Sequence, residues 1–227
     1  MAISYETLLP EILPIIYDCP DMLIERTIRT AVIDLCQKSS VYQRELDAVT
    51  TVGNAYEYDL EAPSGTTVHK ILWVTHGGQS LEPVTSSLLE QKLPKWRDTG
   101  YTGTPKYYVQ QTSSLFWLVP VPSATQAAST IVQAVLKPTH DSVACDDDIM
   151  NDYRETIVNS TLFRLLMMPN KPWTDFNTAT AYGGMAASGV ESARVRAKRS
   201  DGVARKVNYG GIPTRTRYRN RGWRAGY

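Results

Sequence analysis

The spacing of apolar residues predicts a long helix after position 145 as the central element of the fold. Apolar side chains recur at three- and four-residue intervals from Ile149 to Leu166, which gives a stripe as wide as a core-facing helix needs. Three aspartates, at 146–148, precede this stripe, where negative charge and a capping carboxylate are favoured. Pro169 and Pro172 end it, because proline lacks the backbone donor that continuation requires. We expect the other elements to pack on this helix or to extend from it.

Three other segments also have helical spacing. Residues 4–16 begin with Ser4, a good N-cap, and carry one apolar side. Residues 20–38 begin with Pro20 in the first turn, where its missing donor is harmless. A last helix is predicted from Thr174 or Asp175 to about residue 199, rich in alanine and glycine. Because its apolar side is thin for a monomer, we predict that a second subunit covers its small residues Ala179, Gly183, Ala186 and Ala187.

Between the helices the pattern changes to a period of two. Tyr56, Tyr58 and Leu60 alternate with acidic residues, as expected of a half-buried strand. Further strands are predicted at 68–74, 107–110, 115–119 and 130–136, with a short helix at 85–93. The short links favour antiparallel pairing.

These elements predict an α+β fold in three parts. N- and C-terminal helices (1–40 and 141–199) form a helical bundle core and ring-forming body. Residues 41–140 form a β-rich antiparallel insertion between them. Residues 200–227 form an extended basic C-terminal arm, because five glycines after position 201 and Pro213 forbid a long helix and little apolar material remains.

Charge divides the chain into two parts. Of 24 Lys/Arg and 23 Asp/Glu residues, eleven Lys/Arg and one aspartate fall from Arg194 onward. The end of the chain therefore carries +10, and the residues before it carry −9. An acidic body with a basic tail indicates that the two parts have different roles.

The composition fits a soluble protein folded in a cytoplasm. Three distant cysteines do not suggest a disulfide framework. The first residues lack the basic flank of a signal peptide, and no apolar run is long enough to cross a bilayer, so no membrane association is expected.

No constellation for catalysis is present in the sequence. The three histidines have no spacing that suggests a nucleophile and base, and no phosphate-binding glycine loop or zinc spacing occurs. The aspartates at 146–148 could hold a divalent cation, but helix-start electrostatics explains them without one. We predict no enzymatic activity, no cofactor and no metal.

The arm differs from the rest of the chain in carrying residues with a recognisable binding chemistry. Arginines alternate with other residues and are joined by aromatics, namely Arg215, Arg217, Tyr218, Arg219, Arg221, Trp223, Arg224 and Tyr227. Three hypotheses fit: a solvated tail, a nucleic-acid arm that contacts phosphates and bases, and an arm that docks into a groove of another protein. The aromatic ending favours a defined protein pocket.

The chain resembles a known family at both ends of its folded part. The long helix ends in a Leu/Met-Pro-x-Lys-Pro-Trp turn at 166–173 and is followed by an Ala-rich helix; near the start, Leu8-Leu9-Pro10 precedes a helix that begins after Cys19-Pro20. This arrangement resembles the head-to-tail adaptors of short-tailed phages, also called tail tubular protein A. Gly183-Gly184 and the length of the Arg-rich end depart from the family pattern.

The resemblance implies a structural virion protein at the head-tail interface, assembled in the host cytoplasm. Such proteins form a dodecameric ring beneath the portal protein, extend the DNA channel and offer a docking surface to the downstream tail (nozzle) protein. The arm would bind the portal, and genomic DNA would pass without sequence-specific binding. The alternative is a nucleic-acid-binding protein that uses its Arg-rich aromatic arm.

Overall fold

The computed structural model of the protein describes residues 2–98 and 100–200. It is 39% helical and 29% strand, which confirms a mixed α+β fold. The helices in chain order are a 3₁₀ helix (Tyr5–Leu8), α1 (Leu9–Ile12), α2 (Asp21–Ser39), α3 (Ser86–Lys92), α4 (Asp147–Asp152), α5 (Arg154–Leu166) and α6 (Phe176–Ser200).

The strands form several small sheets. They are β1 (Ala2–Ser4), β2 (Gln43–Glu45), β3 (Val49–Thr51), β4 (Glu57–Asp59), β5 (Thr66–His76), β6 (Gln79–Ser80), β7 (Glu82–Pro83), β8 (Thr102–Gly103), β9 (Tyr107–Gln110), β10 (Leu115–Val119), β11 (Val121–Pro122), β12 (Gln126–Pro138) and β13 (Ala144–Asp146). The largest sheet is built around β12, which pairs with β5 on one edge and with β2 and β3 on the other. A second sheet has the order β4-β10-β9-β7.

The main strand pairs are antiparallel, as predicted, but two short pairs are parallel. β7 runs parallel to β9, and β8 runs parallel to β11. Each parallel pair is separated in sequence by other elements, α3 in the first case and the β9–β10 hairpin in the second. These connections are long enough for the crossover that parallel pairing requires.

One main hydrophobic core joins the helices to the larger sheet. α2, α5 and α6 pack against one another, and α2 also packs on β12. On α2 the fully buried residues Ile24, Ile28 and Val32 follow a four-residue spacing that aligns them on one face. The predicted helix 20–38 is confirmed by α2, which ends where Ser40 adopts a left-handed conformation (φ 57°).

A smaller second core lies between α3 and the sheet with the order β4-β10-β9-β7. Trp96 and Trp117 are buried with ring centroids 5.3 Å apart, and Tyr56 contacts both rings edge-on. The guanidinium of Arg97 stacks over both indoles, at 4.7 and 5.3 Å. This aromatic cluster packs α3 and the loop after it onto the β4-β10-β9-β7 sheet.

The predicted central helix is wrong in one respect, because it is two helices. α4 ends at Asp152, Tyr153 has non-helical dihedrals (φ −117°, ψ 18°), and α5 begins at Arg154. Strand β13, directly before α4, is held by its pairing with β1. The Tyr153 ring lies beneath the Arg196 guanidinium at 5.9 Å. The chain therefore leaves the helical conformation at Tyr153, although the apolar sequence pattern continues through it.

The predicted N-terminal helix over 4–16 is also wrong in extent. Ser4 does cap a helix, accepting a hydrogen bond from the Glu6 backbone N–H, but that helix is a single 3₁₀ turn followed by the four-residue α1. The Tyr5 ring is pulled into the core, where its hydroxyl and that of Ser142 are 2.9 Å apart. Anchoring of Tyr5 and the β1 pairing leave no room for a regular helix from Ser4.

Candidate assembly interface

α5 and α6 form an antiparallel hairpin that depends on small residues. A Cβ added to Gly183 would lie 2.9 Å from the Phe163 ring, and one added to Gly189 would lie 2.3 Å from Thr156 Oγ1. Further along, Arg196 forms a 2.8 Å ion pair with Asp152. Glycine therefore sets how closely the two helices approach at two points about 1.7 turns apart.

A groove of about 320 Å³ runs between α2, α5 and α6. Its lining residues are Ala31, Asp34, Leu35, Lys38, Ser160, Phe163, Arg164, Gly183, Ala186, Ala187 and Val190. The groove is apolar along α6 and charged along α2. It is therefore a concave surface with both packing area and fixed charges, as protein interfaces have.

The charges at the groove are already paired within the chain. Asp34 accepts hydrogen bonds from Arg164 and from Lys38, the latter at 3.2 Å. All three side chains are at least partly exposed. The network fixes the orientation of Arg164 at the rim, while its individual pairs contribute little stability because solvent screens them.

The structure brings together three of the four small residues predicted for subunit packing. Gly183, Ala186 and Ala187 line the groove, whereas Ala179 is fully buried in the main core. Gly183 and Ala186 are covered largely by their own chain, and Ala187 is exposed. The subunit contact itself stays a prediction, with Ala187 and the open side of the groove as the surface available to a second copy.

The sequence-based prediction missed Gly189, the position of closest approach. Gly189 continues the small-residue spacing of Gly183 and Ala186 toward the buried Ala193. Extending the three- to four-residue periodicity by one more step would have found it.

Several large apolar side chains are exposed near the ends of the helical layer. Tyr17 and Met22 are 72% and 84% exposed where the chain enters α2. Met167 and Phe176 are exposed on either side of the turn that joins α5 to α6, and Met185 is exposed on α6. Exposed apolar residues of this size are common when they occur singly, and these five side chains are available for contact with a partner.

The ionisable groups of the interior are held by packing and hydrogen bonds. Burial lowers the pKa of His76, whose Nδ1 lies 2.9 Å from Thr130 Oγ1. Burial raises the pKa of Cys145 to about 12 and that of Cys36 well above its usual value. These shifts keep the thiols protonated, so they act as apolar core residues.

The three aspartates lie at the start of α4, as expected. Asp147 and Asp148 are in its first turn, while Asp146 precedes it and forms a 3.6 Å ion pair with Arg44. The expected carboxylate cap is not formed by Asp146. Burial raises the pKa of Asp146, and the hydrogen bond with Asp146 lowers the pKa of Asp147. The carboxylate oxygens of the three residues lie within 4.8 Å of one another.

All predicted portal-binding residues lie outside the described residues, since these end at Ser200. None of the helices within 2–98 and 100–200 is long and apolar enough to cross a membrane.

The chain matches the SU10 adaptor protein family over residues 3–207 and belongs to this family. This confirms the predicted resemblance to phage head-to-tail adaptors and makes the protein a structural adaptor of a phage virion. No curated protein matches the chain.

Proposed function

We propose that the protein is a ring-forming head-to-tail adaptor that binds the portal through its C-terminal arm, extends the DNA channel and provides the docking surface for the tail. The observation that supports this most is the division of charge in a chain of the adaptor family: −9 before Arg194 and +10 from there on. An acidic body repels DNA that must slide past it, while a basic, aromatic arm suits a protein socket.

The ring would form through the helical layer. The groove between α2, α5 and α6 presents apolar area beside the Asp34–Arg164 pair, and Ala187 permits close approach of a neighbouring helix. A dodecamer is the assembly that the resemblance implies. The β-rich insertion, stiffened by its own Trp96–Trp117 core, would face the downstream tail (nozzle) protein.

The arm would bind the portal through buried aromatics surrounded by arginines. We expect Trp223→Ala with Tyr227→Ala to weaken portal binding more than Arg219→Ala, because a buried aromatic anchor typically contributes about 2 kcal/mol or more and a rim charge about 1 or less. Binding of the full-length variants to purified portal, measured by co-sedimentation or calorimetry, tests this. Equal losses from the arginine and aromatic changes would contradict the proposal.

The alternative function is nucleic-acid binding by the arm, which the interleaved arginines and aromatics favour. A salt titration with duplex DNA separates the two. A nucleic-acid arm predicts an affinity that falls steeply with salt, with a log–log slope of about −0.9 per phosphate contacted. The adaptor proposal predicts weak DNA binding and a portal affinity that depends mainly on the aromatics.

A further inference from the structure

Strand β4 is an open edge of the second sheet. It pairs with β10 on one side, and no strand within the described residues pairs with its other side. The Leu60 N–H donates to Ser114 O at 2.7 Å, and Tyr56 O accepts from Leu118 at 2.9 Å. Since alternate residues of a strand direct their backbone groups to opposite edges, the N–H and C=O groups of Glu57 and Asp59 point away from β10.

A cleft of about 420 Å³ lies against this edge. Its other wall is formed by residues 47–50, which include most of β3. Tyr58 also lines the cleft, and its hydroxyl lies within hydrogen-bonding distance of the carbonyl oxygens of Val52 and Ala55. A second hollow of about 410 Å³ continues from it, and Asp47 and Glu61 line both. The edge of β4 therefore borders concave surface from Glu57 to Glu61.

The side chains at the edge form a regular row of negative charge. Glu57, Asp59 and Glu61 are exposed and two residues apart, so they project from one face at the strand repeat. Among the described residues, none of the three forms an ion pair, although Glu57 accepts a hydrogen bond from Trp117 Nε1 at 3.0 Å. Asp47 adds a fourth carboxylate from the opposite wall.

The chain itself contains a segment with the complementary pattern. Arg215, Arg217, Arg219 and Arg221 repeat at the same interval of two residues. In an added antiparallel strand, residues opposite Glu57 and Asp59 would exchange backbone hydrogen bonds with them and place their side chains on the same face. Three consecutive arginines of this set would then face the three carboxylates, and opposite charges in directly facing positions are favourable.

We propose that, in the unassembled subunit, residues 215–221 of the same chain add to the open edge of β4 as a strand. From Ser200 to Arg217 the chain can span about 55 Å when extended, whereas a domain of about 200 residues has a radius of gyration of about 17 Å. The arm can therefore reach its own cleft. In this position the carboxylates of the β4 edge neutralise the arginines, which keeps the arginines from binding nucleic acid before assembly.

Residue-resolved amide hydrogen exchange on the full-length protein at low salt tests this. The wild type is compared with a variant, called the arm variant, that carries Arg217→Glu, Arg219→Glu and Arg221→Glu. We expect exchange at the Glu57 and Asp59 amides to be at least about tenfold slower in the wild type, because only there would an added strand protect them. The Leu60 amide, already bonded to Ser114 O, serves as the internal control and exchanges at the same rate in both proteins.

Exchanging the charges on the two strands provides a second, independent experiment. In a protein that combines Asp59→Lys and Glu61→Lys with Arg217→Glu and Arg219→Glu, and keeps Arg221 to face Glu57, every facing pair again has opposite charges, so protection at the Glu57 amide returns. Glu57 itself is left unchanged because it bonds Trp117.

Three results overturn the proposal: equal exchange in wild type and arm variant, protection that does not return in the charge-exchanged protein, or protection that disappears on dilution, which would assign the edge to a second copy. No portal is present, so the result is independent of whether the arm binds one.

Discussion

Replacing Gly189 by alanine tests whether the α5–α6 hairpin depends on close backbone approach. The added Cβ would lie 2.3 Å from Thr156 Oγ1 and 2.8 Å from its Cγ2, distances that real contacts do not tolerate. Alanine in place of glycine within a helix gains about 1 kcal/mol, and overpacking costs about 1–3 kcal/mol. We therefore expect Gly189→Ala to lower the free energy of unfolding by about 1 kcal/mol, or the melting temperature by about 2–4 °C for a domain of this size.

Gly184 provides the matched control on the same helix. A Cβ there meets nothing within 4 Å. Gly184→Ala therefore gains the higher helix propensity of alanine without a steric clash and should stabilise the protein by about 1 kcal/mol. The difference between the two variants, about 1–3 kcal/mol, measures the overpacking cost directly.

Urea denaturation measures the free energies of unfolding of both variants. It is carried out at two protein concentrations so that association is not mistaken for folding. Adding Thr156→Ala to Gly189→Ala should recover part of the loss, with a coupling energy of about 0.5–3 kcal/mol. If Gly189→Ala stabilised the protein as much as Gly184→Ala does, the close-approach argument would be refuted.

Two further predictions concern the cores. Trp96→Ala should lower the free energy of unfolding by about 3–5 kcal/mol because it empties the centre of the smaller core. Trp73→Ala, which removes a side chain that is 39% exposed, should lower it by about 1 kcal/mol or less. Equal losses for the two variants in urea denaturation would contradict the assignment of that core. Burial raises the pKa of Tyr5 and of Tyr42 to about 12, from an ordinary value of 10.0. The folded state therefore holds these protons longer than the unfolded state, so stability is full below pH 10 and falls as pH rises toward 12; a urea midpoint that is constant over this interval in the wild type would argue against their burial.

Much of the fold could be predicted because local pattern and tertiary structure agree. The spacing of Ile24, Ile28 and Val32 places α2 within one residue of its observed ends, and the predicted strands at 107–110 and 115–119 coincide with β9 and β10. The helix after Trp173 begins as expected, since Asp175 accepts from the backbone N–H groups of Asn177 and Thr178.

The failures arise where long-range contacts decide the local conformation. No periodicity in the sequence indicates that Ala2–Ser4 pairs with Ala144–Asp146 or that the Tyr5 hydroxyl meets Ser142, and in place of one regular helix over 4–16 the chain forms a 3₁₀ turn and the short α1. Likewise, the apolar pattern continues through Tyr153, whose ring lies near Arg196, and does not indicate the helix break there. The small residues of α6 were recognisable, but which of them face α5 depends on a crossing geometry that the sequence does not state.

Electron microscopy of the purified full-length protein mixed with a portal protein tests the central proposal most directly. We expect a closed ring that stacks coaxially on the portal with an open bore, and loss of that complex when Trp223 and Tyr227 are both changed to alanine. Absence of any ring on the portal, with the protein instead bound along added DNA, would contradict it.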